Sequence, residues 1–319
     1  MVAIGRNEGV RLTNCLTSVI DQAEQVVYVD SGSTDGSVGL ARELGVSVVE
    51  LDMSIPFTAA RARNEGAARL RELASDVEYI QFVDGDCQVV ESWFDQAVDF
   101  LDQHVDVGVV CGRRRERFPA CSVYNMLCDI EWDTPVGQAK ACGGDAMMRA
   151  DVFAAVQGYR AGLIAGEEPE LCVRLRATGW KIWRIDAEMV LHDANMLRFS
   201  QWWKRTLRAG HAYAEGASLH GASPEQHWVK EVRSNWLWGL SFPAILMATM
   251  FEPTLIFLLL VYPVQMLRIY RNSNLHRTPH ERRLFAFFCV LAKLPLMLGQ
   301  AKFYWNFLMG QKSKLIEYK

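Results

Sequence analysis

Five short apolar runs, at 2–5, 25–30, 46–51, 79–83 and 107–112, alternate with stretches of helical character at 10–22, 37–44, 58–74 and 91–103. The runs are rich in β-branched residues and end in Gly or polar turn residues, which marks them as strands rather than helices. Strand and helix in strict alternation predict an α/β fold with a mostly parallel sheet. Open sheets of this kind bind ligands outside the carboxyl ends of their strands. The residues at those ends therefore carry most of the functional information.

The run Tyr79-Ile80-Gln81-Phe82-Val83 passes directly into Asp84-Gly85-Asp86. Two adjacent carboxylates at a strand end are hard oxygen ligands, suited to Mg²⁺ or Mn²⁺ bridging to a diphosphate. Asp-x-Asp alone also fits a turn with a capping carboxylate. A second strand ends at Asp30, followed by Ser31-Gly32-Ser33-Thr34-Asp35-Gly36 and a helix. A third, at the start of the chain, ends in Gly5-Arg6-Asn7-Glu8. Further on, Gly166-Glu167-Glu168-Pro169-Glu170 opens a helix whose Leu171 and Leu175 share one face. Carboxylates are favoured at a helix N-terminus, which accounts for their charge but not for their place in this pattern.

In order and approximate spacing these four motifs resemble those of family 2 glycosyltransferases, and the likeness covers roughly residues 1–216. The resemblance implies a GT-A fold: a nucleotide-diphospho-sugar transferase with a Rossmann-like mixed sheet. It also implies a nucleotide-sugar donor, Mg²⁺ or Mn²⁺, and inverting transfer of a hexose-type sugar. Carried over by position, Ile4, Arg6 and Glu8 border the donor and Asp30 meets its base or ribose. Arg61 flanks the same site. Asp84 serves ribose and metal, with Asp86 the stronger metal ligand, and Gly144 lies under the donor sugar. The family usually shows Glu-Asp in the fourth motif, the second residue being the base. Here Glu-Glu makes Glu168 the direct counterpart and leaves Glu167 a competitor. His192 either completes the metal shell or caps the sheet. Arg205 and Arg208 are placed to hold the diphosphate. The stretch from Gln201 resembles the Gln-x-x-Arg-Trp region of processive relatives but reads Gln-x-x-Lys-Arg, which argues for transfer of one sugar rather than polymer synthesis.

Other features are less specific. Arg61 falls at a helix N-terminus, where an anion is favoured, whereas Arg63 reads as readily as part of a solvated helix face. Arg113, Arg114, Arg115 and Arg117 form either solvated surface or a receiver for a phosphate-bearing acceptor. Gly143-Gly144 suggests backbone pressed against a ligand. A formal net charge of −3 offers no global field for nucleic acid, so none is expected as a partner. Eight Cys without a CxxC pair read as reduced thiols of a cytosolic protein. The chain opens on a strand, so no secretory signal is expected.

After about residue 223 the composition changes. Residues 236–251 and 254–267 are free of charge on either side of Glu252-Pro253 and suggest two membrane-embedded helices. Arg268, Arg271, Arg277, Arg282 and Arg283 follow, as on a cytoplasmic flank. The stretch 284–298, broken by Lys293 and Pro295, reads as interfacial, with Lys302, Lys312, Lys314 and Lys319 able to meet anionic lipid. The expectation is a GT-A domain over 1–223 and a helical, membrane-associated region over 224–319. It would sit on the cytoplasmic face of the inner membrane, acting on a lipid-linked or nascent glycan acceptor. Alternatives are an inactive nucleotide-sugar-binding protein of the same fold and a sugar nucleotidyltransferase. The intact acidic motifs weigh against the first. The absence of a Gly-rich basic N-terminal loop weighs against the second.

Overall fold

The structure, a computed structural model, describes residues 1–273, 276–311 and 316. It divides into two compact units, Met1–Pro119 with Glu131–Asn195, and Ala120–Ile130 with Met196–Lys319.

The first unit begins with β1 (Val2–Gly5), α1 (Val10–Thr17), β2 (Val27–Asp30), α2 (Ser37–Glu43), β3 (Ser47–Glu50) and α3 (Ala59–Leu73). It continues through β4 (Tyr79–Asp84), β5 (Cys87–Val89), α4 (Trp93–Gln103) and β6 (Val107–Glu116). The chain then passes through α5 (Val123–Glu131), which belongs almost wholly to the second unit, and returns. It ends with β7 (Gly137–Ala139), β8 (Ala146–Arg149), α6 (Ala150–Ala155), α7 (Glu167–Ala177) and β9 (Lys181–His192). One nine-stranded sheet runs β3-β2-β1-β4-β8-β6-β9-β5, with β7 also on β9.

The expected parallel sheet holds for β3, β2, β1 and β4 and again for β6 with β9, whereas β8 runs antiparallel to both β4 and β6. β8 is only four residues long, so it leaves little pattern to read in sequence. β9 runs unbroken from Lys181 to His192, and this length carries that imidazole to the acidic strand ends. The parallel half places them. Ile4 of β1 pairs in register with Asp84, and Gly5 with Asp30, so two strand-end carboxylates flank the end of β1.

Helix α3 lies close on β1 and β2 because its inner face is Ala and Gly. A Cβ on Gly66 would come within 2.3 Å of Val2 Cγ1 and 2.9 Å of Val29 Cγ2. Thr58 caps the helix, accepting from Arg61 N at 3.0 Å and donating to Ala161 O at 2.7 Å.

The second unit adds α8 (Phe199–His220), α9 (Val229–Ala248), α10 (Val261–Asn272), α11 (Pro279–Leu291) and α12 (Lys293–Leu308), with a 3₁₀ stretch at Pro253–Leu260. α8 and α12 meet through glycines. A Cβ on Gly210 would lie 2.1 Å from Leu296 O, and one on Gly299 would lie 2.0 Å from Leu207 O. This contact places residues 196–220 with the helices that follow. Arg277 reaches Asp129 at 2.8 Å.

The charge-free stretch 236–251 lies inside the longer α9, which contains Pro243. Among the described residues, the two helical stretches long and apolar enough to cross a membrane are Pro253–Asn272 and Pro279–Leu308. The region expected to be interfacial, 284–298, thus lies within one of them. Lys302 is on α12, while Lys312, Lys314 and Lys319 fall outside the described residues. Large apolar side chains stand exposed here, Phe251 at 90% and Met250 at 83% among them.

The α3 contact sets a stability test. Alanine favours a helix interior over glycine by about 1 kcal/mol, but overpacking a buried contact costs about 1–3 kcal/mol. Gly66→Ala is expected to lower the unfolding free energy in urea by up to about 2 kcal/mol. Gly39→Ala in α2, where a Cβ meets nothing within 4 Å, is expected to raise it.

Candidate active site

The strand ends are closed by backbone as much as by side chains. Gly85 N–H donates to Ile4 O at 2.7 Å, and a Cβ on Gly85 would stand 3.1 Å from the same oxygen. Glycine between Asp84 and Asp86 thus lets the turn lie against β1. Asp30 is buried and shapes its own loop. It accepts from Tyr28 Oη at 2.8 Å and from the N–H groups of Gly32 and Ser33 at 2.9 and 2.7 Å. Asn7 and Asp35 tie the loops after β1 and β2 together, Asn7 Oδ1 accepting from Thr34 N at 2.7 Å and Asp35 from Gly9 N at 3.0 Å.

At the centre stands Arg63, only 2% exposed. One arm of its guanidinium donates to Asp84 Oδ1 and the other to Glu167 Oε1, each at 2.7 Å. Burial works to lower its pKa, but the two carboxylates outweigh it and hold the group firmly charged. Gly144 packs against this bridge. A Cβ there would lie 2.7 Å from Arg63 Nη2 and 3.1 Å from Asp84 Oδ2.

The network continues through Asp145, which is fully buried. Its Oδ1 accepts from Asp84 N at 2.8 Å, and its Oδ2 from Cys87 Sγ at 3.4 Å, with Arg114 at 2.5 Å. Arg114 also stacks on Trp132, and Trp132 packs edge-on against His192. His192 Nε2 faces Asp86 Oδ1 at 3.5 Å, and its Nδ1 lies 3.9 Å from Glu116.

Asp86, Cys87 and His192 each offer a ligand atom within 4.8 Å of the others. Burial raises the Cys87 thiol far above its ordinary range. A hard ion such as Mn²⁺ prefers oxygen and nitrogen donors to a thiol, so the carboxylate and the imidazole form the donor set that fits it. His192 Nε2, the nitrogen that faces Asp86, is the one that would meet such an ion. Asp84 is turned to Arg63 and lies outside this group.

The helix α7 begins after Gly166, whose φ of 77° is in the left-handed region. Glu168 is 5% exposed. Its Oε1 accepts from Cys142 N at 2.6 Å, Cys142 Sγ at 3.0 Å and Cys172 Sγ at 2.9 Å. Among the described residues, none makes a hydrogen bond to its other oxygen. The two thiols lie 3.9 Å apart. Hydrogen bonding to Cys172, then burial, drives the Cys142 thiol well up, and burial pushes Cys172 up to about 11.

The remaining expected site residues are placed as follows. Ile4 is buried in β1. Arg6 lies over the Phe57 ring at 4.9 Å. Glu8 pairs with Arg11 at 2.8 Å. Arg61 donates to the carbonyls of Asp52 and Ile55, both at 3.0 Å, and so closes the loop after β3. Arg205 and Arg208 are half-buried on α8, in the second unit. The arginine run is not a solvated patch. Arg113 and Arg114 are internal, facing Asp133 and Asp145, and Arg115 pairs outside with Glu188. Arg63, Asp145, Cys142 and Cys172 were not legible as site residues, since each is defined by a partner distant in sequence.

Removing one partner of a buried ion pair costs about 3–5 kcal/mol, and exposed pairs contribute about 0–1 kcal/mol. Because Asp84 keeps some contact with solvent, Arg63→Met is expected to destabilise by about 2–4 kcal/mol. Arg115→Ala is expected to change stability by less than about 1 kcal/mol. Equilibrium denaturation of both variants checks the contrast.

Residues 4–127 match the family described as Glycosyl transferase family 2. The chain is 26% identical over 212 residues to the succinoglycan biosynthesis protein ExoA of Rhizobium meliloti, covering 63% of each chain. It is 23% identical over 217 residues to the glycosyltransferase AglE of Haloferax volcanii, covering 64% of this chain and 69% of that one. It spans between 21% and 69% of the length of the curated relatives it matches. Its fold is shared with the mannosyltransferase PcManGT of Pyrobaculum calidifontis, solved with GDP-Man and Mn²⁺. The TM-score is 0.65 at 17% identity, over 96% of this chain and 86% of that one. In motif order, in the sequence match over residues 4–127 and in its GT-A fold, the chain is similar to glycosyltransferase family 2.

Proposed function

We propose that this chain is an inverting, metal-dependent glycosyltransferase that moves a single hexose-type sugar from a nucleotide sugar to a lipid-linked or nascent glycan acceptor. The observation that carries the reading is the state of Glu168. One oxygen is anchored by three donors and the other is unengaged, on a buried side chain beside Glu167, which is itself bound into the Arg63–Asp84 bridge.

An inverting displacement needs a carboxylate that accepts the acceptor hydroxyl proton as that oxygen attacks the anomeric carbon. The unengaged oxygen of Glu168 takes that proton, while the anchored one fixes the carboxylate's orientation. Glu167 is unsuited, because its Oε1 is held by Arg63. Asp86 and His192 would hold Mn²⁺ or Mg²⁺, which supplies positive charge for the departing diphosphate. Asp84, fixed by Arg63 and by its own N–H, orients the donor ribose. Gly144 keeps the wall beside that bridge free of side chain, so that the sugar can approach it.

The first test measures nucleoside diphosphate release across a panel of nucleotide sugars. Glu168→Gln is expected to lower kcat by about 10²-fold or more with donor affinity kept. Glu167→Gln is expected to lose stability more than chemistry. The reverse pattern would move the base by one residue.

The apolar stretches at Pro253–Asn272 and Pro279–Leu308 support attachment to a membrane, and the flanking arginines suggest the cytoplasmic side. The full chain is expected to sediment with membranes, to resist a high-salt wash and to need detergent for release. Release by salt alone would mean electrostatic adsorption. A monodisperse protein without detergent would make these helices a soluble fold.

A further inference from the structure

Glu168 sits in an environment that a general base does not require. Cys172 lies four residues after it on α7, on the same face, and Cys142 comes from the loop before β8. Three ligand atoms, two sulfurs and one carboxylate oxygen, lie within 4.8 Å of one another. Two thiolates around a tetrahedral Zn²⁺, with Zn–S near 2.3 Å, stand about 3.8 Å apart. The observed separation is 3.9 Å. The sulfur–oxygen distances, 3.0 and 2.9 Å, are those of S–H···O hydrogen bonds, so a metal would open them by about half an ångström. The N–H of Cys142 on Oε1 fits as well, since ligating carboxylates are commonly held by a further hydrogen bond.

We propose that Cys142, Glu168 and Cys172 form a second metal site, for a thiophilic divalent cation such as Zn²⁺, whose occupancy silences the enzyme because a cation on Oε1 draws charge from the carboxylate and weakens its other oxygen as a base. Binding replaces the two thiol protons, which leave to solvent, by two metal–sulfur bonds, and Oε1 becomes the third ligand. A water completes the shell. The site differs in chemistry from Asp86–Cys87–His192. That group combines a carboxylate, an imidazole and one thiol, whereas this one has two sulfurs, which select against Mn²⁺ and Mg²⁺. The site rests on its own geometry, and the silencing rests on the reading of Glu168 as base.

The test uses Co²⁺ on the full chain in detergent. Titration is expected to raise a thiolate-to-metal charge-transfer band that Zn²⁺ abolishes. The band should persist in Cys87→Ser and vanish in the Cys142→Ser/Cys172→Ser double variant, where hydroxyls still donate to Glu168. Absence of the band, or its survival in the double variant, overturns the site. Should the double variant fail to fold, Cys142→Ser alone is expected to weaken Co²⁺ binding by about tenfold or more, as loss of a ligand group does, and unchanged affinity overturns the site. In turnover with Mn²⁺, Zn²⁺ is expected to suppress the wild type by about tenfold or more and the double variant, relative to its own zinc-free rate, hardly at all. A band that forms while turnover continues overturns the silencing, and with it the role of Glu168, but leaves the site standing.

Discussion

The fork of Arg63 is the interaction on which the rest of the site depends. A guanidinium offers donors in a rigid plane, so two carboxylates that it binds are held at a set separation and angle. Here they come from different parts of the chain, Asp84 from the end of β4 and Glu167 from the start of α7. The bridge therefore joins the acidic turn to the helix that carries Glu168. It also neutralises charge that would otherwise repel across a buried space. Hydrogen bonding to Arg63 occupies Glu167, and this separates the roles of two adjacent glutamates that are chemically alike.

Three glycines make the arrangement possible. Gly85 permits the turn between Asp84 and Asp86 to rest on Ile4 O. Gly144 leaves room at the bridge. Gly66 lets α3 approach the sheet closely enough for Arg63, three residues earlier on the same helix, to reach inward. The site is thus built by backbone proximity first and by charge second.

Much of this was legible in sequence, for reasons that differ by element. The parallel half of the sheet follows from alternating strands and helices, and Asp30, Asp84 and Asp86 follow from carboxylates at strand ends. Arg63 was not legible. An arginine in an Ala-rich helix looks the same whether it faces water or two carboxylates, and Glu167 lies 104 residues away. The same holds for Cys142 and Cys172, thirty residues apart in sequence. The antiparallel β8 was lost because a four-residue strand carries almost no pattern. In the helical region, the 3₁₀ stretch begins at the expected break, Glu252-Pro253, but the first charge-free run lies inside the longer α9, which starts at Val229 and continues through Pro243. Composition locates apolar segments well, but turn geometry decides where helices begin and end.

The central claim is that the acidic strand ends bind a nucleoside diphosphate through a metal held by Asp86 and His192. Calorimetric titration of nucleoside diphosphates into the full chain, with Mn²⁺ and after chelation, addresses it most directly. Binding should require the metal and weaken by about 10²-fold or more in Asp86→Ala with the fold intact, the scale of a lost metal contact to charged oxygens. Equal affinity with and without metal, or an Asp86→Ala variant that binds as tightly as the wild type, would contradict the account.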